Sequence, residues 1–233
     1  MIKQSLEILI PSYNEEKNIE TVVEKSLAWL KSQTEDYSVL VVEDGSNDKT
    51  KEILKNLTKK DSHLKTIYHK KNLGIGQSWY DLYKNASKNI IFTCPADQQF
   101  DPADFSIAIP YIDKADIISI YRLKKQGYNL FRLILTNTNK LLVRILFRLN
   151  IKDINWVKMY KKELLNQLNI QLKSSLLETE ILAKAKKRHA KIIQLQAPYH
   201  LRIHGKARGA SFKNLWLVFI DLIKLYLSVR IFK

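Results

Sequence analysis

The stretch VLVVEDGSND at residues 39–48 decides the fold of this 233-residue chain. Four consecutive aliphatic residues predict a buried strand, and the acidic residues, Gly45 and Ser46 behind them predict a turn and a helix cap. Ile53, Leu54 and Leu57 then follow at helical spacing. The stretch therefore predicts a strand, a loop and a helix, in that order.

The same unit recurs on both sides of this stretch. Short apolar runs predict four further strands, at Leu6–Ile10, Leu64–His69, Ile90–Thr93 and Asp116–Ile120. Helical apolar patterns follow the first two of them, over residues 19–30 and 79–86. Strands that alternate with helices predict an α/β fold with a mostly parallel sheet and right-handed crossovers.

Functional loops in such a sheet lie at the carboxyl ends of the strands. Three loops begin there, at Pro11, Glu43 and Cys94, and the first two are rich in acidic and amide side chains. Aromatic and carboxylate groups at that edge suit a nucleotide base and ribose. Taken alone, however, Asp44-Gly45-Ser46 is also an ordinary turn and helix cap.

Length and cysteine content limit the class of protein. A chain of 233 residues with 45% hydrophobic content suffices for one domain. The single cysteine, Cys94, excludes intramolecular disulfides and multi-cysteine zinc sites, and it fits a reducing compartment. Because no basic, apolar leader precedes the first strand, we expect a cytoplasmic protein.

The net charge of +16 is unevenly placed. Residues 1–116 hold 15 Lys and Arg against 18 Asp and Glu, whereas residues 117–233 hold 24 against 5. The second half is expected to meet phospholipid headgroups, nucleic acid or a phosphorylated substrate. Its basic residues are interleaved with aliphatic runs rather than set on a polar face, which argues against nucleic acid.

Two amphipathic segments carry much of this charge. The first covers residues 129–149 inside an expected domain of residues 1–211, and the second covers residues 212–233. Basic residues in the first recur at multiples of four, at Arg132, Lys140, Arg144 and Arg148. We expect both to lie in the headgroup region of an anionic membrane, with core packing or a dimer interface as the alternative for the first. Asp221, Lys224 and Arg230 interrupt the second, so a membrane span is not expected.

Four motifs occur in a fixed order: PSYNEE at 11–16, EDGSND at 43–48, NLGIG at 72–76 and ADQQFDP at 96–102. Together they resemble the family-2 glycosyltransferases over about residues 6–210. The resemblance is strongest to the branch of dolichol-phosphate-mannose synthases and polyprenyl-phosphate glycosyltransferases. It implies the GT-A fold, a Rossmann-like, mostly parallel sheet flanked by helices, here with amphipathic membrane-interface helices.

The resemblance also implies a donor site. Pro11, Tyr13 and Glu15 would border the nucleotide of a nucleoside-diphosphate sugar, and Asp44 would hold the base. Asp97 and Gln99 match the last two positions of the family's Asp-x-Asp-x-Gln motif, which binds a divalent cation, Mg²⁺ or Mn²⁺.

The metal motif departs from the family at its first acidic position, where this chain has Pro95. One carboxylate is therefore missing, and Asp101 is the candidate to compensate for it. A site built on charge balance is weakened by the loss of a ligand, so a non-catalytic member of the family is an alternative.

Basic side chains are implied on the acceptor side. Arg202 and Lys206, in RIHGKAR at 202–208, resemble the branch's phosphate-binding loop, and Arg122 and Arg132 match basic positions near the phosphates. Arginine suits this role because its planar fork grips phosphate oxygens in pairs. Arg132 has the alternative of a lipid-facing charge.

Two acids, Glu178 and Glu180, resemble the family's acceptor-side acidic segment, and the alternative is that both complement a helix dipole. A polyprenyl phosphate is already anionic and needs no strong base, so in-line displacement with inversion is expected. A saccharide hydroxyl as acceptor would need a base, with Glu178 or Glu180 as the candidate.

Overall fold

The computed structural model describes residues 2–122, 141–198 and 212–231, without the side chains of 212–220 and 231. Its strands are β1 Leu6–Ser12, β2 Tyr37–Glu43, β3 Leu64–Tyr68, β4 Ile90–Thr93, β5 Ile117–Arg122, β6 Lys158–Lys161 and β7 Ile192–Ala197. Its helices are α1 Ile19–Gln33, α2 Thr50–Lys60, α3 Ile75–Asn85, a 3₁₀ helix at Pro102–Tyr111, α4 at 141–147, α5 Lys162–Gln167, α6 Leu177–Lys187 and α7 Phe212–Ile231.

The strands form one sheet in the order β3-β2-β1-β4-β6-β5-β7. Every neighbouring pair is parallel except those of β6, which runs antiparallel to both β4 and β5. The prediction of a mostly parallel sheet is confirmed. The sequence analysis did not predict β6 and β7. β6 has two lysines in only four residues, which hides its apolar pattern. β7 alternates apolar residues with Gln194 and Gln196, a strand signal that could have located it.

Helices cover both faces of the sheet, which explains why the central strands are apolar throughout. Ile8, Val41 and Phe92 face a core shared with α1 and the 3₁₀ helix. The alternate residues Leu9 and Ile91 face a second core shared with α3 and α6.

Gly45 brings the loop after β2 against the segment after β3. Its φ is +67°, and an added Cβ would lie 2.4 Å from the carbonyl carbon of Lys71. Any other side chain would clash with that backbone. A glycine is therefore required where these two loops meet.

The two amphipathic segments meet at α4 and α7. The rings of Phe147 and Tyr226 lie 6.5 Å apart, and Lys187 at the end of α6 donates to the carbonyls of Val229 and Arg230. Among the side chains of these two helices that the structure describes, the exposed large apolar ones are Leu141, Leu142, Ile145, Ile223 and Leu227. Among the described residues, no helix combines the length and apolarity that a bilayer crossing requires.

Candidate active site

Hydrogen bonds join the loops of the first two motifs, PSYNEE and EDGSND, at the carboxyl edge of the sheet. Asn14 N donates to Ser46 Oγ at 2.9 Å, and Glu15 N donates to Thr50 Oγ1 at 2.8 Å. Asn14 Oδ1 accepts in return from Asn47 N at 2.8 Å. Asn14 makes this exchange from a left-handed conformation with φ 53°, which asparagine tolerates better than most residues.

The loop after β4, which carries the ADQQFDP motif, forms hydrogen bonds with the segment after β1. Gln98 Nε2 donates to Asn18 Oδ1 at 3.0 Å, and Asn18 Nδ2 donates to Glu15 Oε2 at 2.6 Å. Asp97, only 8% exposed, accepts from Gln99 N at 3.2 Å. Because β2, β1 and β4 are adjacent in the sheet, the three loops form one continuous rim.

A cavity of about 250 Å³ opens at this rim. Tyr13, Glu43, Asn47, His69 and Lys71 are among its lining residues. Of the residues predicted to border the nucleotide, Tyr13 therefore lies on the cavity. Pro11 lies near the end of β1 and is half-buried, and Glu15 binds Asn18 as described.

Asp44 is buried and serves as an anchor for neighbouring loops. Its Oδ1 accepts from Leu73 N at 2.8 Å and lies 2.7 Å from His69 Nδ1, and its Oδ2 accepts from Gly74 N at 2.9 Å. The other ring nitrogen of His69 lies 3.1 Å from Asp81 Oδ2. These contacts fix the NLGIG segment against the cavity, and the contact of Asp44 with a base stays a prediction.

Oxygen donors are present for a divalent cation, but they are few. Among the described residues, no cluster of three or more His, Cys, Asp or Glu side chains is arranged to hold a metal. Asp97 and Gln99 offer the oxygen ligands that Mg²⁺ and Mn²⁺ prefer. Two such donors would leave most of the coordination sphere of a cation to other oxygens, such as those of a diphosphate or water. Asp101 is committed elsewhere, because its Oδ2 accepts from Lys25 Nζ at 2.6 Å.

Arg122, predicted to bind phosphate, is held at the end of β5 by Asp153. Its Nε and one terminal nitrogen donate to the two carboxylate oxygens at 2.8 and 3.2 Å. The guanidinium also stacks on Trp156, 4.3 Å from the ring centre. Both partners are nearly buried, so Arg122 shapes the segment that leads into β6, and its contact with phosphate stays a prediction.

Beneath this segment lies a buried network centred on Glu178. Tyr160 OH donates to Glu178 Oε2 at 2.5 Å, Lys158 Nζ lies 3.1 Å from the same oxygen, and Tyr83 OH donates to Glu178 Oε1. Burial, reinforced by the Glu178 charge, raises the pKa of Tyr83 and of Tyr160 well above the ordinary value. Both tyrosines therefore stay protonated and donate.

Lys158 belongs to this network and was not among the predicted site residues. It is fully buried, and its Nζ also donates to the carbonyls of Ile154 and of Trp156, the latter at 2.9 Å. One ammonium group thus ties the segment 154–156 to α6. No local pattern signals this, because a lysine in a four-residue strand ordinarily faces solvent.

Glu180 lies in the first turn of α6 and is fully buried. Its carboxylate accepts from Lys184 Nζ at 2.6 Å and from the backbone N–H groups of Gln171 and Leu172. These contacts give it a structural role, and none supports the predicted approach to a reacting centre. Glu178, the other acid considered, has a side chain 12% exposed and both oxygens engaged.

Three predicted phosphate-binding residues, Arg132, Arg202 and Lys206, lie outside the described residues. The predictions for them stand as sequence predictions.

Residues 7–170 match the family model of glycosyl transferase family 2. This match covers well over half of the chain, which therefore belongs to that family.

Curated relatives include two undecaprenyl-phosphate 4-deoxy-4-formamido-L-arabinose transferases. The protein from Pectobacterium atrosepticum is 24% identical over 143 residues, which are 60% of this chain and 43% of that protein. The protein from Photorhabdus laumondii is 28% identical over 131 residues, or 55% and 40%. The matched region thus spans about two fifths of the length of these relatives.

Solved structures show the same fold. Glucosyl-3-phosphoglycerate synthase from Mycobacterium tuberculosis, in complex with Mn²⁺, UDP-glucose and phosphoglyceric acid, gives a TM-score of 0.71 at 15% identity, covering 97% of this chain and 80% of that one. S. aureus TarS 1–349 in complex with UDP-GlcNAc gives 0.64 at 19% identity, covering 95% and 66%. The predicted GT-A fold is confirmed.

Proposed function

We propose that this chain is an inverting glycosyltransferase that moves a sugar from a nucleoside-diphosphate sugar to a polyprenyl phosphate. One observation carries the proposal: the loops of Tyr13, Asp44 and Asp97 converge on one rim beside a cavity of about 250 Å³. The acceptor is supported by the names of the curated relatives.

The donor would bind with its nucleotide in the cavity and its diphosphate toward Asp97. Asp97 and Gln99 would hold a divalent cation together with diphosphate oxygens. A cation there neutralises the charge that develops on the departing nucleoside diphosphate. The residues of the chain then position the anomeric carbon for attack in line with the leaving group.

A phosphate acceptor agrees with the state of the acidic residues. Glu178 and Glu180 have their oxygens engaged with lysines, tyrosines and backbone N–H groups. A saccharide hydroxyl would need one of them as a base, which requires breaking these contacts. A phosphate oxygen is anionic at neutral pH and needs no base. In the proposal Arg122, Arg132, Arg202 and Lys206 hold the phosphates.

We place the reaction at the cytoplasmic face of an anionic membrane, with α4 and α7 in the headgroup region. Support comes from Leu141, Ile145 and Leu227, which are 57%, 64% and 52% exposed. Arg144 and Lys224 are exposed on the same two helices. Apolar side chains flanked by cations are typical of helices that lie in a membrane surface. The division into a domain of residues 1–211 and a membrane helix of residues 212–233 belongs to this proposal.

A transfer assay tests the reaction. Full-length protein is incubated with nucleotide sugars, undecaprenyl phosphate and Mn²⁺ or Mg²⁺, and the glycolipid product is analysed by mass spectrometry and NMR. We expect an inverted anomeric centre, and a rate lower by about 10²-fold or more in Asp97→Ala. The matched control is Asp113→Ala, whose carboxylate accepts from Gln4 near the start of the chain. Equal rates in wild type and Asp97→Ala would remove the metal assignment, and a retained configuration would refute the single displacement.

Flotation with liposomes tests the surface. We expect binding to vesicles that contain phosphatidylglycerol, reduced by high salt and by Ile145→Glu with Leu227→Glu. If neither high salt nor the double substitution reduces vesicle binding, the exposed face of α4 and α7 serves a partner other than the membrane.

A further inference from the structure

His69 directly follows β3 and lines the cavity at the rim. Its backbone N donates to the carbonyl of Glu43 at 2.9 Å, which fixes it to the end of β2. Its ring is buried, with only 7% of the side chain exposed. The proposed transfer reaction gives this titratable group no role.

Both ring nitrogens of His69 face carboxylates. Nδ1 lies 2.7 Å from Asp44 Oδ1, and Nε2 lies 3.1 Å from Asp81 Oδ2. An ionised carboxylate only accepts hydrogen bonds, so each nitrogen must carry a proton to bind its partner. Further donors favour the ionised form of each acid, because two backbone N–H groups donate to Asp44 and Gln77 Nε2 donates to Asp81. The arrangement therefore calls for His69 as an imidazolium cation.

The two hydrogen bonds enclose one part of the cavity wall, segment 70–74. This segment connects His69 to the start of α3, and three of its residues line the cavity. The backbone N–H groups of residues 73 and 74 donate to Asp44, in the loop after β2. Asp81 lies on α3, which the segment enters. The ring of His69 thus joins the beginning of the segment to the helix at its end and to the acid that binds its backbone.

We propose that His69, as an imidazolium bound to both Asp44 and Asp81, is a positioning residue that holds segment 70–74 in place for the nucleotide sugar. The inference rests on the proposed function, because it concerns a wall of the donor site. A ring that loses one proton keeps only one of the two hydrogen bonds, and its bare nitrogen then faces a carboxylate oxygen and is repelled by it. The affinity for the nucleotide sugar should therefore fall as the pH rises through the titration of His69.

Other charged or titratable groups border the same cavity. They are Tyr13 from the loop after β1, Glu43 from β2, Lys51 from α2, and Lys70 and Lys71 from the segment itself. Because several of these groups can titrate, the test must observe the ring of His69 directly.

NMR on the unaltered protein, labelled with ¹⁵N-histidine and ¹⁵N in the backbone, tests the bridge without a ligand. The pH is varied from about 5 to 9, the range in which histidine changes its charge. We expect both ring nitrogens of His69 to be protonated at the acid end and one proton to be lost as the pH rises. The amide signals of Leu73 and Gly74 should shift with the same midpoint. A ring that is neutral at the acid end, or amides that stay unchanged while the ring titrates, would overturn the inference.

His69→Gln tests the positioning role in the transfer assay. Glutamine can donate to one of the two carboxylates but not to both. We expect KM for the nucleotide sugar to rise by about tenfold or more, kcat to change by less than about threefold, and the step in KM at the titration of His69 to disappear. His63→Gln is the matched control, because His63 Nδ1 also lies 2.9 Å from an aspartate, Asp61, but at the opposite end of β3. Its KM should equal that of the wild type.

Asp81→Ala tests the second hydrogen bond alone. One proton then suffices for His69 to bind Asp44, so KM should rise and should no longer depend on the second proton. In the His69→Gln background the same substitution should have no further effect, because both changes remove one shared contact. Additive effects of the two substitutions would contradict the bridge.

The outcomes separate this inference from the proposed function. A folded His69→Gln with the KM and the pH profile of the wild type would overturn the role of His69 and leave a glycosyltransferase in place. Failure of the wild type to bind any nucleotide sugar with Mg²⁺ or Mn²⁺ would overturn both.

Discussion

The donor rim and the acceptor-side segment use their carboxylates in different ways. At the rim, acids accept mainly from backbone N–H groups, as Asp44 does from Leu73 and Gly74, and Glu43 from Ser46. Around β5, β6 and α6, acids pair with buried cations instead: Asp153 with Arg122, Glu178 with Lys158 and Glu180 with Lys184.

The difference separates charge along the molecule. Backbone N–H groups hold the acids of the rim in place without adding a formal positive charge. Acids that pair with Lys or Arg are neutralised in place. Since residues 117–233 hold only 5 acids against 24 basic residues, this half keeps a large excess of positive charge. Buried pairs of this kind organise the segment, whereas exposed cations set its charge.

The largest effect is expected from Lys158→Met. The change leaves the Glu178 charge buried without its cation, and it releases the carbonyls of Ile154 and Trp156. We expect the free energy of unfolding to fall by about 3–5 kcal/mol, measured by urea denaturation. Adding Glu178→Gln should restore part of the loss. A loss below about 1 kcal/mol would show that the pair does not organise this half.

Asp44→Ala is expected to act next most strongly. It removes the acceptor of Leu73 N and Gly74 N, so stability should fall by about 2 kcal/mol. Hydrogen exchange should accelerate at these two amides. Asp61→Ala is the control, because its carboxylate accepts from His63 N at a different corner of the sheet. Unchanged exchange at Leu73 and Gly74 would contradict the anchor role.

Arg122→Lys probes geometry at constant charge. A lysine cannot reproduce the paired hydrogen bonds to Asp153 or the stacking on Trp156. We expect a loss of about 1–2 kcal/mol in thermal or chemical denaturation. A rate of transfer that falls much further than stability would support the phosphate contact, and a parallel decline would assign Arg122 to positioning alone.

Lys161→Met should have the smallest effect. Lys161 lies three residues from Lys158 on β6, but its pair with Asp116 is half-exposed and 3.4 Å long. Asp116 also keeps the backbone N–H of Lys191 as a partner. The expected loss is below about 0.5 kcal/mol by the same urea measurement. A loss of stability comparable to that of Lys158→Met would contradict the expectation that buried cations stabilise this segment more than exposed ones.

Much of the donor half was predictable. The strands β1 to β5 and the loops of Tyr13, Asp44 and Asp97 were located from apolar runs and turn residues, because both are signals of short range. Glu43 lay inside the quoted motif. Whether each of its carboxylate oxygens has a hydrogen-bond partner, however, depends on where Ser46 and the loop after β3 lie. Glu180 was predicted as a site residue from a motif resemblance. Only the packed structure showed that its carboxylate accepts hydrogen bonds from Lys184 and from two backbone N–H groups.

The sequence by itself determined the strands β1 to β5 with the helices α1 to α3 between them, the family and the asymmetry of charge, since each follows from residue patterns along the chain. The tertiary structure decided that β6 runs antiparallel between β4 and β5, that Lys158 is buried and that Asp44 and Glu43 have different partners. These outcomes depend on which segments distant in sequence exclude water from one another. Burial sets the cost of an unpaired charge, and burial is a property of the packed chain.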